Sequence, residues 1–220
     1  NPTQLERTTR SRIIQSVAQH HHDHEHDENV AYLYKTLNST IESADYIYEK
    51  SKVYDSKTNY PKGKFGAELK QVAELIISGC DTQIYYVTIG GFDTHNSQIA
   101  RQSKLLEGYS DAMTAFVKDL KANDRWNDTL VMTFSEFGRR VAENGSKGTD
   151  HGQGNNLYLM GGNLKKAGFY NGAPDLANLS KGDVKFEIDF RRVYATVLKD
   201  WLKADDQKIL KQQFDTLGIV

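Results

Sequence analysis

Apolar residues recur at three- and four-residue steps through the first third of the chain. Val30, Leu33, Leu37, Ile41, Ala44 and Tyr48 make one stripe, as a helix that covers one face requires. Pro61, Gly63 and Gly66 interrupt it. Phe65, Leu69, Val72 and Ile76 then form a second stripe, and Gly79 is placed to cap it. Residues 1–80 are thus expected to be a helical N-terminal region. The period then changes. Ile84-Tyr85-Tyr86-Val87-Thr88-Ile89 is a short β-branched and aromatic run, expected as a strand. Residues 97–121 return to a helical period, with Ile99, Leu106, Tyr109, Met113, Phe116, Val117 and Leu120 on the apolar face. Asn123 and Asp124 end it, and a second strand is expected over 129–134.

Strand, helix and strand in that order predict a βαβ unit with parallel strands and a right-handed crossover. A third short strand, Leu157-Tyr158-Leu159-Met160, closes at Gly161-Gly162. Residues 163–188 read as loop with weak strands. Asp189 is placed to cap a helix carrying Phe190, Val193, Tyr194, Val197, Leu198, Trp201 and Leu202. A last helix carries Ile209, Leu210 and Phe214. The expected fold is α/β: a small, mainly parallel sheet flanked by helices over 81–220, joined to the helical region 1–80 in one compact domain.

Composition narrows the function classes. The 220 residues hold 28 Lys and Arg against 29 Asp and Glu, a formal net charge of −1. That lacks the basic excess of a general nucleic-acid binder. Mean hydropathy is −0.63, and no apolar run approaches the ~18 residues of a helical membrane span. The single cysteine, Cys80, excludes an internal disulfide. The chain starts at Asn1 with no visible signal peptide, so a mature form and a segment of a longer protein are both compatible with it.

Candidate chemistry gathers where the expected strands end. The run 84–89 leads into Gly90-Gly91-Phe92-Asp93-Thr94-His95. The run 129–134 leads into Ser135-Glu136-Phe137-Gly138-Arg139, followed by Gly148-Thr149-Asp150-His151-Gly152. Ligands of α/β sheets bind beyond the carboxyl ends of strands. Asp93 and His95, two apart after a Gly-Gly turn, point the same way in extended chain. Together with Glu136, Asp150 and His151 they form a mixed carboxylate–imidazole set suited to zinc or manganese. Arg139 is placed to receive an anionic substrate or to orient Glu136. Each residue also has a plainer reading. Asp93 serves as a helix cap, Glu136 as a solvated side chain, the glycine-bounded loop as a turn, and Arg139 as half of an ion pair. Their conjunction at one sheet edge favours the metal reading. Five of the seven histidines lie in His20-His21-His22-Asp23-His24-Glu25-His26-Asp27. That tract has ligands but no hydrophobic frame, and reads as a solvated loop that binds transition metals weakly.

These motifs resemble a known family. Gly-Gly-Phe-Asp-Thr-His, Thr-Leu-Val-Met-Thr-Phe-Ser-Glu-Phe-Gly-Arg-Arg and Gly-Thr-Asp-His-Gly, in that order, look like the bacterial domain-of-unknown-function 1501 family. The Asp-Phe-Arg-Arg-Val-Tyr-Ala-Thr-Val-Leu helix fits as well. The resemblance covers 84–202 well and the N-terminal region loosely. It implies membership of the alkaline phosphatase and sulfatase-like hydrolases, α/β proteins with metals at the carboxyl edge of the sheet. By that resemblance Asp93, His95 and His151 hold a divalent cation, Glu136 and Asp150 are first- or second-sphere carboxylates, and the substrate is a small anionic phosphate or sulfate ester. The pattern departs in two places. An Asp-His pair usual in the superfamily is replaced by Glu136-Phe137, and no strand before residue 84 brings a nucleophile. The resemblance therefore implies the C-terminal part of a longer hydrolase-like protein, exported to the periplasm or beyond. A domain of another class, a binding or scaffold module keeping the fold without catalysis, is the competing expectation.

Overall fold

A computed structural model describes residues 16–17 and 28–220. The histidine tract 20–26 lies outside the described residues. Among the described residues the chain is mixed α/β, with five α-helices and two small sheets. The helices are α1 (Glu28–Ser51), α2 (Lys64–Ile77), α3 (Gln98–Ala122), α4 (Phe190–Thr196) and α5 (Asp206–Leu210). The strands are β1 (Leu130–Thr133), β2 (Gly138–Arg139), β3 (His151–Gly152) and β4 (Tyr158–Gly161). No described helix is long and apolar enough to cross a membrane. The chain divides into two compact units. The first holds the described residues up to Thr88 with Ala112–Leu120 of α3. The second holds Ile89–Asp111 and Lys121–Val220.

In the first unit α1 packs against α2. Lys50 Nζ donates to the Gly79 carbonyl at 2.9 Å, and the Asp81 N–H donates to the Tyr46 hydroxyl at 2.8 Å. These bonds hold the chain leaving α2 against the end of α1. The core is formed by Leu69 and Ala73 of α2 with Ala112, Met113, Ala115, Phe116 and Leu120 of α3. One charged group sits inside it. Asp119 is 1% exposed and accepts hydrogen bonds from the Tyr54, Ser56 and Tyr60 hydroxyls. A buried carboxylate is tolerated only when its lone pairs are filled this way. Burial, and next the Asp119 charge, push the Tyr60 hydroxyl well above the ordinary tyrosine range, which keeps it a donor.

In the second unit β1 pairs antiparallel with β4, from Leu130 opposite Gly161 to Thr133 opposite Tyr158. The Tyr109 hydroxyl of α3 lies 2.9 Å from the Thr133 hydroxyl. The helix expected after Asp189 begins as α4 and widens into a π-helical turn over Val197–Trp201. Asp189 caps it, accepting from the Arg191 N–H. The C-terminal segment returns to this helix, where the Leu217 N–H donates to buried Thr196 at 2.9 Å. The last helix is short, five residues capped by Asp205, and leaves Phe214 outside it beneath the Arg191 guanidinium.

The expected parallel sheet is not what forms among the described residues. Both sheets are two-stranded and antiparallel, and 84–89 pairs with no described strand. The apolar alternation of that run is real, since Ile84 and Tyr86 are 69% and 72% exposed while Tyr85, Val87 and Ile89 are half-buried. Alternation fixes which side chains turn inward. It does not supply the neighbouring backbone that a ladder needs. The partner of β1 is β4, which returns antiparallel and takes one edge of β1.

Candidate metal centre

The site is built from two loops of the second unit. In the first, the Thr94 N–H reaches back to the Phe92 carbonyl at 2.9 Å. This three-residue turn makes Asp93 its apex and swings Asp93 and His95 to one side. Thr94 is 1% exposed and accepts from Gln102 of α3 at 3.0 Å, which anchors the turn to the helix that follows.

The second loop is set by β2 and β3, where Arg139 opposes His151 and Gly138 opposes Gly152. Cross-strand partners lie on one face, so Arg139 and His151 emerge together. The backbones here touch. A Cβ on Gly138 would fall 2.6 Å from the carbonyl oxygens of both Gly152 and Gly154. Gly148 brings the second loop against the first, since a Cβ there would stand 2.3 Å from the His95 carbonyl carbon. The Ser97 and Gln98 N–H groups donate to the Ser146 and Lys147 carbonyls, so the two loops are stitched by main chain.

Three side chains converge where the loops meet. His151 Nε2 lies 2.7 Å from Asp93 Oδ1, and His95 Nε2 lies 3.0 Å from the same oxygen. One ligand atom from each of Asp93, His95 and His151 lies within 4.8 Å of the other two. All three side chains are about half exposed, at 62%, 45% and 47%. The hydrogen bond from His151, aided by the charges of His95 and Arg139, holds the Asp93 carboxyl below the ordinary carboxylate range.

Of the other expected site residues, Asp150 stands behind His95 rather than in the cluster, with Oδ1 3.2 Å from His95 Nδ1. Hydrogen bonds from Asn144 and then from His95 hold its carboxyl below the ordinary carboxylate pKa range. Glu136 is exposed and stands outside the three-residue group. The reason is local. Ser135 Oγ donates to the Phe137 carbonyl at 2.9 Å, and this turn directs Phe137 toward the site. The Phe137 ring stacks on His151 at 4.0 Å between centroids and 9° between planes. Arg139 is 16% exposed. Its Nη1 donates to the Thr149 carbonyl at 2.5 Å and its Nη2 to the Phe92 carbonyl at 2.6 Å. The guanidinium therefore ties together the residues just before Asp93 and just before Asp150. Asn144 and Phe137 were not among the expected site residues. Asn144 stands in a loop between Val141 and Gly145 without the residue type of a ligand, and only its hydrogen bonds show its place.

The chain belongs to the family described as protein of unknown function (DUF1501), whose model matches residues 2–216. No curated protein and no solved structure gives a match.

Proposed function

We propose that Asp93, His95 and His151 bind one divalent cation, zinc or manganese. The observation that carries this is the convergence of three acceptor atoms on one another. With Nδ1 of His95 donating to the Asp150 carboxylate, a ring without a second proton would present the lone pair of Nε2 toward Asp93. A lone pair facing a carboxylate oxygen at 3.0 Å is repulsive unless a proton or a cation stands between them. Tetrahedral ligands at zinc–ligand distances of ~2.1 Å stand ~3.4 Å apart. The observed separations of 2.7 and 3.0 Å thus need to open by less than an ångström. Two imidazoles and one carboxylate also form a donor set that leaves a fourth position open in zinc hydrolases, and the half-exposed side chains leave that side accessible.

On this site we place a hydrolase-like activity of the alkaline phosphatase and sulfatase type, acting on small phosphate or sulfate esters. The resemblance of the motifs and their order to those hydrolases supports it. When bound, the cation would act as a Lewis acid on an ester oxygen. Asp93 would hold negative charge beside it. Arg139, with Nη2 3.6 Å from Asp93 Oδ1, would add positive charge to the cleft without a free fork for the substrate. Asp150 would fix His95 from behind. Among the described residues no serine or threonine hydroxyl is bonded to the three ligands, so a nucleophile is not assigned.

Phe137 favours a second reading. By the motif resemblance it stands where a two-cation hydrolase has a second ligand, and Glu136 beside it is exposed. That arrangement suits a binding or scaffold domain that holds one cation and catalyses nothing. Elemental analysis of the dialysed protein, followed by assays on phosphate, phosphonate and sulfate esters, separates the readings. One bound cation, lost on Asp93→Ala or His151→Ala, with ester turnover lost in the same variants, is the expected result. One cation with no turnover on any ester moves the assignment to the binding domain. No bound cation at all overturns both.

A further inference from the structure

Asn144 carries no charge, yet every hydrogen-bonding position of its amide is filled at this site. Its Oδ1 accepts from the Ser146 N–H at 2.9 Å and the Gly148 N–H at 3.1 Å. Its Nδ2 donates to the His95 carbonyl at 3.0 Å and to Asp150 Oδ1 at 3.3 Å. Its own N–H donates to the Gly148 carbonyl at 2.8 Å. An asparagine amide offers two donors and two lone pairs, and here none is left over. The two donors go to the main chain of His95 and to the carboxylate behind the His95 ring. One side chain therefore fixes both ends of one ligand.

We propose that Asn144 is a positioning residue of the cation site, holding His95 and Asp150 in the relation that aims His95 Nε2 at Asp93. This inference rests on the cation site proposed above. The acceptor at one imidazole nitrogen decides which tautomer the ring adopts. Asp150 can play that part for His95 only if it stays beside Nδ1. Its side chain is 62% exposed, so packing restrains it little and its hydrogen bonds carry its placement. The Asn144 amide supplies the restraint and at the same time fixes the loop 144–148 by its two accepted bonds. No other residue type of this size does both. Aspartate keeps the acceptors but loses the donors, and alanine loses all four.

The test uses the full chain with His20, His21, His22, His24 and His26 replaced by serine, so that the tract adds no signal. Cobalt(II) is the probe, followed by its visible ligand-field absorption and by competition with a chromophoric chelator. Asn144→Asp is expected to weaken cobalt binding ~10–100-fold, the usual loss when an outer-sphere partner is removed, and to shift the absorption band. A carboxylate added near a cation strengthens binding by Coulomb attraction, so a loss in this variant reports lost orientation and not lost charge. Thermal unfolding in chelator should stay near the parent's, because the acceptor bonds to Ser146 and Gly148 survive. Asp150→Asn reaches the same coupling from the other side. The double variant is expected to bind no worse than the weaker single one, as for residues acting as one unit. Parent-like affinity and spectrum in Asn144→Asp, or fully additive losses in the double variant, overturn the positioning role and leave the cation site standing. No cobalt bound by the parent overturns the cation site and this inference together.

Discussion

At the scale of single residues, the site is held by side chains of quite different legibility. Asp93, His95 and His151 are visible in the sequence because ligand-type residues follow a β-run and a glycine turn, where a core has no use for them. Asp150 is visible for the same reason, but its place behind His95 is not, since sequence order does not separate a ligand from the group that orients it. Glu136 reads as a ligand only if the chain runs on straight past β1. The Ser135 turn prevents that and presents Phe137 instead. Two predictions belong here. Phe137→Ala removes a stacked ring worth ~0.5–1.5 kcal/mol, so cobalt affinity should fall by ~3–10-fold with the ligands intact. Arg139→Lys keeps the charge but cannot reach two carbonyls at once, because a guanidinium forks and an ammonium does not. Its cation affinity should fall at least ~10-fold, as read by chelator competition. Undiminished affinity in Arg139→Lys would show that charge alone suffices and that the tie between Phe92 and Thr149 is incidental.

At the scale of elements, periodicity located α1, α2, α3 and α4 and the strands β1 and β4, since each carries its own inward face. It did not provide pairing. The run 84–89 has the alternation of a strand and no ladder, while β2 and β3, two residues each, have a ladder and no alternation long enough to read. Glycines that admit close backbones make the second pair. The polar ties that close each unit were equally hidden, because an aspartate on a helix reads as solvated until its neighbours are known. Asp119→Ala would leave three hydroxyl donors without their carboxylate inside the first unit. Hydrogen bonds to a charged group contribute ~1.5–3 kcal/mol each, but the hydroxyls can find partial replacements. A net loss on the order of 3 kcal/mol is expected, lowering Tm by about 10 °C, with a smaller loss for Asp119→Asn.

Asp189 gives a prediction with a pH dependence. The hydrogen bonds from the Arg191 side chain, more than its charge, hold this carboxyl below the ordinary value of 3.8. A carboxylate whose pKa is depressed by folding stabilises the fold above its unfolded pKa, and this contribution is lost as pH falls through the folded one. Removing an N-cap costs ~1 kcal/mol. Asp189→Ala should therefore be less stable by about that amount at pH 7, with the gap to the parent narrowing below pH ~4. Paired urea unfolding curves at pH 7 and pH 3 measure it. A gap of equal size at both would mean that the cap acts through shape rather than charge.

At the scale of the whole molecule, the sequence holds two sets of cation-type ligands. The tract 20–26 is dense in imidazole, whereas Asp93, His95 and His151 are few but come from loops fixed by main-chain bonds, an arginine tie and an asparagine. Preorganisation, not ligand number, decides affinity when ordering the ligands must be subtracted from the binding free energy. Replacing the five tract histidines with serine should remove weak zinc binding, leave Tm almost unchanged and retain one tightly held cation. Adding His151→Ala to that variant should release it. Because a cation held at the proposed site would bind the folded site and not the separated loops, zinc at 100 times its dissociation constant should stabilise the tract variant by ~2.7 kcal/mol, and should do nothing for the variant that also lacks His151. Calorimetric unfolding with and without zinc, run on both variants, reads this difference directly. If the tract variant loses all tight binding, the histidine-rich segment is the metal site and the convergence of Asp93, His95 and His151 is a hydrogen-bonded cluster that needs only a proton.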